Sequence, residues 1–225
     1  MNSKYINVIY EDNHVIAINK SSGTLVQGDK TGDKSLIDFT KKFLKKKYNK
    51  PGNVFIGLPH RIDRPVSGIV LLSKTSKSLS RLTILFKEKK IKKKYWAVVK
   101  NKLPKKSDTL IHYLKKNGRK NKSFASIQKK EGYLKAELEY NFLKKLENYF
   151  LYEIKLITGR HHQIRAQLSQ EGSPIKGDVK YGSKRSNKDG SISLHARKVN
   201  FIHPVKKEEI SITAPIPKKG IWKHC

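Results

Sequence analysis

The stretch HRIDRPVSGIVLLSK, residues 60–74, sets one carboxylate, Asp63, between Arg61 and Arg64 and then runs into an apolar segment. Cations at that range lower a carboxyl pKa and keep the group ionised, so Asp63 suits a nucleophile or an electrostatic group rather than a general acid. Most Asp-Arg neighbours are structural or solvated ion pairs. Here the framing favours a positioned group, because Pro65 stiffens the chain and the small residues Ser67 and Gly68 lead straight into the apolar run. Glycosidic hydrolysis calls for a second carboxylate as acid. These segments offer only Asp178, in a Gly-flanked turn, and hydrolysis is disfavoured. A second constellation, TGRHHQIR at 158–165, brings Arg160, His161, His162, Gln163 and Arg165 into one stretch. The two histidines lack the third close ligand of a catalytic zinc, so they are read as lining a nucleic-acid cleft or capping a helix, and no metal is expected. Tyr95, beside Trp96 in KKKYWAVVK, reads from the residues alone as an ordinary strand aromatic.

The elements around these groups follow from periodicity. Residues 68–73, GIVLLS, form a continuous apolar run of the kind buried on both faces of a sheet. Pro65 biases Arg64 toward extended geometry. Alternation through 60–64 then puts Arg61 and Asp63 on one face and Ile62 on the other, anchored in the core. Upstream, Tyr5–Tyr10 and His14–Asn19 read as a hairpin joined by an Asp-Asn turn, followed by a Gly/Ser/Asp surface loop without the ligands of a calcium site. Residues 35–48 predict a basic amphipathic helix with Ser35 as N-cap and Leu36, Phe39, Phe43 and Leu44 on one face. Ser76 is the expected cap of a helix over 77–89, and KKKYWAVVK the next strand. FLYEIKLITGR reads as a strand feeding a short helix that begins near Thr158, faces Ile164 and Leu168 to the core and closes at Gly172. SLHARKVNFIHP and EEISITAPIP supply the last strands, and residues 101–148 alternate basic loops with β-like runs.

Composition narrows the partner. The chain of 225 residues carries 50 Lys and Arg against 18 Asp and Glu, a formal net charge of +32, and such a field draws polyanions before any specific contact forms. Nucleic acid leads. A lysine-biased proteome gives the same excess, and arginine helps to separate the two: five of the eight arginines (Arg61, Arg64, Arg160, Arg165 and Arg197) fall in segments that carry candidate chemistry. A planar, permanently charged fork is placed there while lysine serves elsewhere. The one cysteine, Cys225, excludes an intramolecular disulfide and a Cys-based zinc site. No run of about 18 apolar residues exists and the N-terminus is acid-bearing, so a cytoplasmic protein without a membrane segment is expected. The length suits one domain, and a monomer is expected.

Several segments together bring in a family. HRIDRPVSGIVLLSKT resembles the signature stretch of the RluA-type pseudouridine synthases, whose Asp lies in an H-R-L-D-R-x-T-S-G context. YEDNHVIAINKSSGTLV is similar to that family's N-terminal strand and lysine-proline-glycine turn, and KKKYWAVV to its strand bearing the active-site tyrosine. TGRHHQIRAQLSQEGSPIKGDVKYG resembles the G-R-x-H-Q-I-R segment with its G-D-x-x-Y-G loop, and LHARKVNFIHP the late L-H-A strand. The resemblance covers most of the chain in the right order.

It implies an α+β fold, a mixed and largely antiparallel β-sheet with flanking helices and a central active-site cleft, and isomerisation of specific uridines in ribosomal or transfer RNA without cofactor or metal. By the same resemblance Asp63 is the nucleophile or base, Arg165 its salt-bridge partner, and Tyr95 the ring that stacks on uracil and assists loss of the C5 proton. Arg61 enters the space of the flipped base, an arrangement that helps offset the cost of unstacking. His60, Arg64, Arg160, His162 and Gln163 are further RNA-contact candidates. Three departures touch local contacts: Val66 for a hydroxyl residue, His161 at the variable position, and Ser21-Ser22 in place of the usual proline. The catalytic motif begins at residue 60, which leaves no room before it for the S4 RNA-binding domain of many relatives. The rival readings are a non-catalytic RNA-binding or ribosome-assembly protein that keeps the fold, and a basic nuclease.

Overall fold

The computed structural model describes residues 6–225, so the Tyr5 end of the expected hairpin lies outside the described residues. The fold is α+β, with a mixed, largely antiparallel sheet and three α-helices among the described residues. In chain order these are β1 (Val8–Glu11), β2 (Val15–Lys20), α1 (Leu36–Lys47), β3 (Ser67–Ser73), α2 (Ser76–Lys87), β4 (Lys92–Val99), β5 (Ser107–Asn117), β6 (Lys122–Ser126), β7 (Leu134–Lys145), β8 (Phe150–Leu156), α3 (Gln163–Gln170), β9 (Leu194–Ile202) and β10 (Glu209–Thr213). Two compact units result. One takes the chain to Ile91 and resumes over Ala196–Ile216; the other holds Lys92–His195 and Pro217–Cys225.

In the first unit β1, β2 and β3 form consecutive antiparallel ladders, and β10 pairs with β9. The β1–β2 turn is set by Asp12, whose carboxylate accepts the backbone N–H groups of His14 and Val15, both at 2.7 Å. Every residue of β3 is buried, as its unbroken apolar run requires. Its Ile69 and Leu71 pack with Val15 and Ala17 of β2, Leu82 of α2, and Val199 and Phe201 of β9. Gly68, at φ +110, shows why the start of this strand is small: a Cβ there would lie 2.3 Å from the backbone oxygen of Ala196. Helix α1 begins as expected, with Ser35 and Asp38 forming a reciprocal capping box. The start of α2 differs by one residue. Thr75 accepts the Ser78 N–H and takes the cap position, which makes Ser76 the first helical residue instead.

In the second unit the strands lie in the order β4-β8-β7-β5-β6, each antiparallel to its neighbour. The stretch over 101–148, which sequence leaves vague, thus contains β5, β6 and the whole of β7. In β5 Leu110, His112 and Leu114 point inward at every second position, while Thr109, Ile111, Tyr113 and Lys115 hold the outward ones. Helix α3 packs onto this sheet: Ala166 joins Leu114, Ala136 and Tyr181 in one cluster, and the Gln167 amide donates to the carbonyl of Leu110 at 3.0 Å. The helix starts at Gln163, five residues after the expected Thr158, for a reason that belongs to the site. No helix among the described residues is long and apolar enough to cross a membrane.

Candidate active site

In the first unit the loop that carries Asp63 is fastened on both sides. Ile62, 7% exposed, is its core anchor, while Arg61 is exposed and Asp63 half-exposed, the division that alternation predicts. Ahead of it, His60 Nε2 accepts the Leu71 backbone N–H at 2.9 Å and its ring stacks on Phe86 at 4.4 Å between centres. Sequence offered His60 as an RNA contact; these partners give it the work of tying the loop to β3. Behind it, the Asp63 carbonyl accepts the Val66 N–H at 3.1 Å, which makes residues 63–66 a turn.

Arg64 is a clamp for its own unit. Its Nε donates to the Gly23 carbonyl at 2.9 Å, its Nη2 reaches Asp33 at 2.8 Å, and its carbonyl accepts the Gly23 N–H at 2.8 Å. The same carbonyl accepts from Lys20 Nζ at 3.1 Å, and that ammonium also donates to the carbonyls of Ser21 at 3.0 Å and Thr24 at 2.9 Å. Lys20 is 1% exposed. Burial pushes its pKa down, Asp63 offsets part of the fall and Arg64 adds to it, with a net value of about 7. A buried cation therefore feels the charge of Asp63, which sequence did not single out; one lysine in a lysine-rich chain has no local mark of burial.

That lysine makes stability depend on pH. Folded Lys20 keeps its proton below about 7, whereas an unfolded lysine keeps it to 10.5. Between those values the unfolded chain binds the extra proton, so stability rises with pH, by at most about 1.4 kcal/mol per unit for one group. Lys20→Met is expected to lose that increment. Urea midpoints for both proteins at pH 7 and pH 9.5 measure it, and parallel changes in the two would refute the assignment.

In the second unit Tyr95 sits on β4 opposite Ile154 of β8 and is 8% exposed. The loop before α3 is organised by Gln163. Its Oε1 accepts from the Thr158 hydroxyl at 2.7 Å and the Arg160 N–H at 2.9 Å, and its Nε2 donates to the Glu137 carbonyl at 3.0 Å. This clasp holds 158–162 outside the helix, which corrects the expected start near Thr158. His162 occupies the N-cap position in the left-handed region at φ 51, with no side-chain cap bond. Its ring stacks on His161 at 3.8 Å, and its Nδ1 lies 3.0 Å from the Tyr181 hydroxyl. Arg160 is exposed and donates through Nε to the Lys135 carbonyl at 3.1 Å.

Arg165 is buried on α3 and gripped at two points by Asp178, Nε to Oδ2 at 2.7 Å and Nη2 to Oδ1 at 2.9 Å. Their side chains are 7% and 1% exposed. The guanidinium centre lies 4.9 Å from the centre of the Tyr181 ring, whose hydroxyl accepts the Ser123 N–H at 2.7 Å. Asp178 is thus the second residue that sequence undervalued. It was weighed only as a possible acid, although the G-D-x-x-Y-G loop contains both it and Tyr181. No group of three or more His, Cys, Asp or Glu is gathered among the described residues as a metal would require.

The first unit thus holds a carboxylate on a fastened loop, and the second a buried strand tyrosine and a buried arginine fork. The RNA pseudouridylate synthase family signature matches residues 14–170. The chain is 35% identical over 222 residues to ribosomal large subunit pseudouridine synthase C of Buchnera aphidicola subsp. Schizaphis graminum, covering 93% of this chain and 67% of that one. It is 36% identical over 212 residues to the protein of the same name from Rickettsia prowazekii, covering 93% and 68%. It spans about two thirds of the length of these curated relatives. Among solved structures, human RNA pseudouridylate synthase domain containing 4 superposes with a TM-score of 0.80 at 21% identity, over 94% of this chain and 88% of that one. Human RNA pseudouridylate synthase domain containing 1 gives 0.74 at 21% identity, over 95% and 84%, and both likenesses bear on the fold. This chain belongs to the RNA pseudouridylate synthase family of isomerases, as an RluA-type member.

Proposed function

We propose that this protein converts uridine to pseudouridine in large-subunit ribosomal RNA, with Asp63 as its nucleophile. The observation that carries the reading is the mooring of Asp63: a loop anchored in the core by Ile62, tied to β3 by His60 and to the 21–24 turn by Arg64, and lying in the field of the buried Lys20. The substrate class is taken from the relatives, which are named for the large ribosomal subunit. In this reading the target uridine leaves its stack and Arg61 takes its place. Asp63 attacks the ribose or assists detachment of the base as the N1–C1′ bond breaks. Uracil then turns and rejoins the sugar through C5, with any bond between Asp63 and C1′ breaking as C5–C1′ forms; Tyr95 assists loss of the C5 proton, and N1 ends protonated. The atoms of substrate and product are the same, and the scheme balances without a redox partner.

Tritium release from RNA labelled at uridine C5 tests it directly. The expected result is release from large-subunit ribosomal RNA, with the strands left intact and the transfer RNA fraction unchanged. Release from transfer RNA alone would replace the substrate, cleavage of the strands would favour a nuclease, and absence of release from both fractions would leave an RNA-binding protein.

A further inference from the structure

Along one side of α1 the first unit carries an open groove of about 1340 Å³. Phe39 and Phe43, one helical turn apart, line it with Ile6, Val8 and Leu25, and Lys34, Lys42 and Lys46 stand among them as exposed residues. The volume exceeds the few hundred to ~1,000 Å³ of a typical small-molecule site. Its charge is also one-sided. The two acids of the groove are engaged, Asp33 by Arg64 at 2.8 Å and Asp38 by the Ser35 N–H at 2.9 Å and hydroxyl at 2.7 Å. Lys47 is held by Glu11 at 2.7 Å, with its ammonium 5.8 Å from the centre of the Phe43 ring. Asp38 keeps its charge, since its Ser35 donors are neutral, and Lys34 acts on it, so the surplus positive charge rests on Lys42 and Lys46.

The groove is continuous with the Asp63 loop. Gly23, Thr24 and Arg64 line its end, and these are the residues that fasten Asp63 to the 21–24 turn. Aromatic rings interleaved with cations along an open channel are how single-stranded nucleic acid is held without regard to sequence, by stacking on the rings and by phosphate neutralisation.

We propose that this groove seats the single-stranded RNA next to the target uridine, with a base against Phe43 and phosphates at Lys42 and Lys46. The inference rests on the RNA-modifying role proposed above and adds a path for the strand. Its occupant is RNA rather than an apolar peptide, because the apolar floor is rimmed by more cations than acids.

The test uses the full-length protein and a fluorescein-labelled 12-nucleotide oligouridylate, titrated at several salt concentrations. Lys42→Ala with Lys46→Ala keeps good helix formers on the exposed side of α1. This pair is expected to weaken binding at least about tenfold and to reduce the salt slope by about 1.4, at about 0.7 per phosphate contact on a single strand. A control pair on the second unit, Lys145→Ala with Lys223→Ala, is expected to change affinity less than about twofold. Phe43→Leu keeps an apolar side chain and removes the stacking face, with an expected weakening of about fivefold or more. The inference is overturned if the groove pair behaves like the control pair, or if Phe43→Leu binds like the wild type. It is also overturned if deletion of residues 2–5 is what governs affinity while Phe43→Leu has no effect, since the chain's own end would then be the occupant. Tritium release by the wild type separates the two readings: release with unaffected groove variants refutes the groove alone, and no release refutes the enzymatic reading while the binding comparison still reports on the groove.

Discussion

Asp63→Asn is expected to cut tritium release from labelled ribosomal RNA by at least about a thousandfold while RNA affinity stays within about twofold. The two effects separate because asparagine has nearly the same shape but no charge and no nucleophilic oxygen. Fastenings of the loop that use other groups than the Asp63 carboxylate are the Asp63 and Arg64 carbonyls, the Arg64 guanidinium, His60 and Ile62. The loop should therefore stay in place with its chemistry removed. A second readout exists in the protein itself. The charge of Asp63 holds Lys20 higher than burial alone would leave it. Its removal must lower the Lys20 pKa further, which NMR of selectively labelled lysine can follow. An equal loss of binding and isomerisation would count against a chemical role for Asp63, and an unchanged Lys20 titration against the electrostatic contact.

Asp178→Asn should be the most destabilising of the single changes, at about 3–5 kcal/mol, because it takes from the buried Arg165 guanidinium the carboxylate that grips it at two points. The pair is shielded, and its two parallel bonds at 2.7 and 2.9 Å engage both oxygens of the Asp178 carboxylate. An asparagine would also present N–H groups to a guanidinium that can only donate. For a chain of this size such a loss lowers Tm by on the order of 10 °C. Adding Arg165→Gln should return part of the stability, since the cost is the carboxylate charge taken from a buried cation rather than a missing contact. A loss below about 1 kcal/mol, or a double variant worse than the sum of the singles, would refute this account.

The sequence was most legible where a local rule and the final packing agree. The unbroken run in β3, the Ser35 cap and the alternation of Arg61, Ile62 and Asp63 are each set by a few adjacent residues, and each stands in the structure. What was missed depends on distant partners. Lys20 is distinguished only by three carbonyls brought to it by chain reversal, and Asp178 only by an arginine thirteen residues earlier on another element. The start of α3 failed for a related reason. Local pattern favoured helix from Thr158, but Gln163 spends its side chain on Thr158, Arg160 and Glu137 and keeps that stretch in a loop. The arginine count pointed the right way without saying how. Arg64, Arg160 and Arg197 all donate to backbone carbonyls, and Arg165 forks onto a carboxylate.

The mooring of Asp63 to the 21–24 turn uses main-chain oxygens and nitrogens on the turn side: the carbonyls of Ser21, Gly23 and Thr24 and the N–H of Gly23. Such a latch reads the path of the chain and ignores the side chains along it. The side chains of Ser21 and Ser22 can therefore be exchanged without slackening the carboxylate. The turn is free to drift in composition, or to be randomised in a library at 21, 22 and 24, so long as Gly23 keeps its φ of +89 and Lys20 its length. Variation that would retune how the rim meets different RNAs is thereby uncoupled from the geometry of the reacting group.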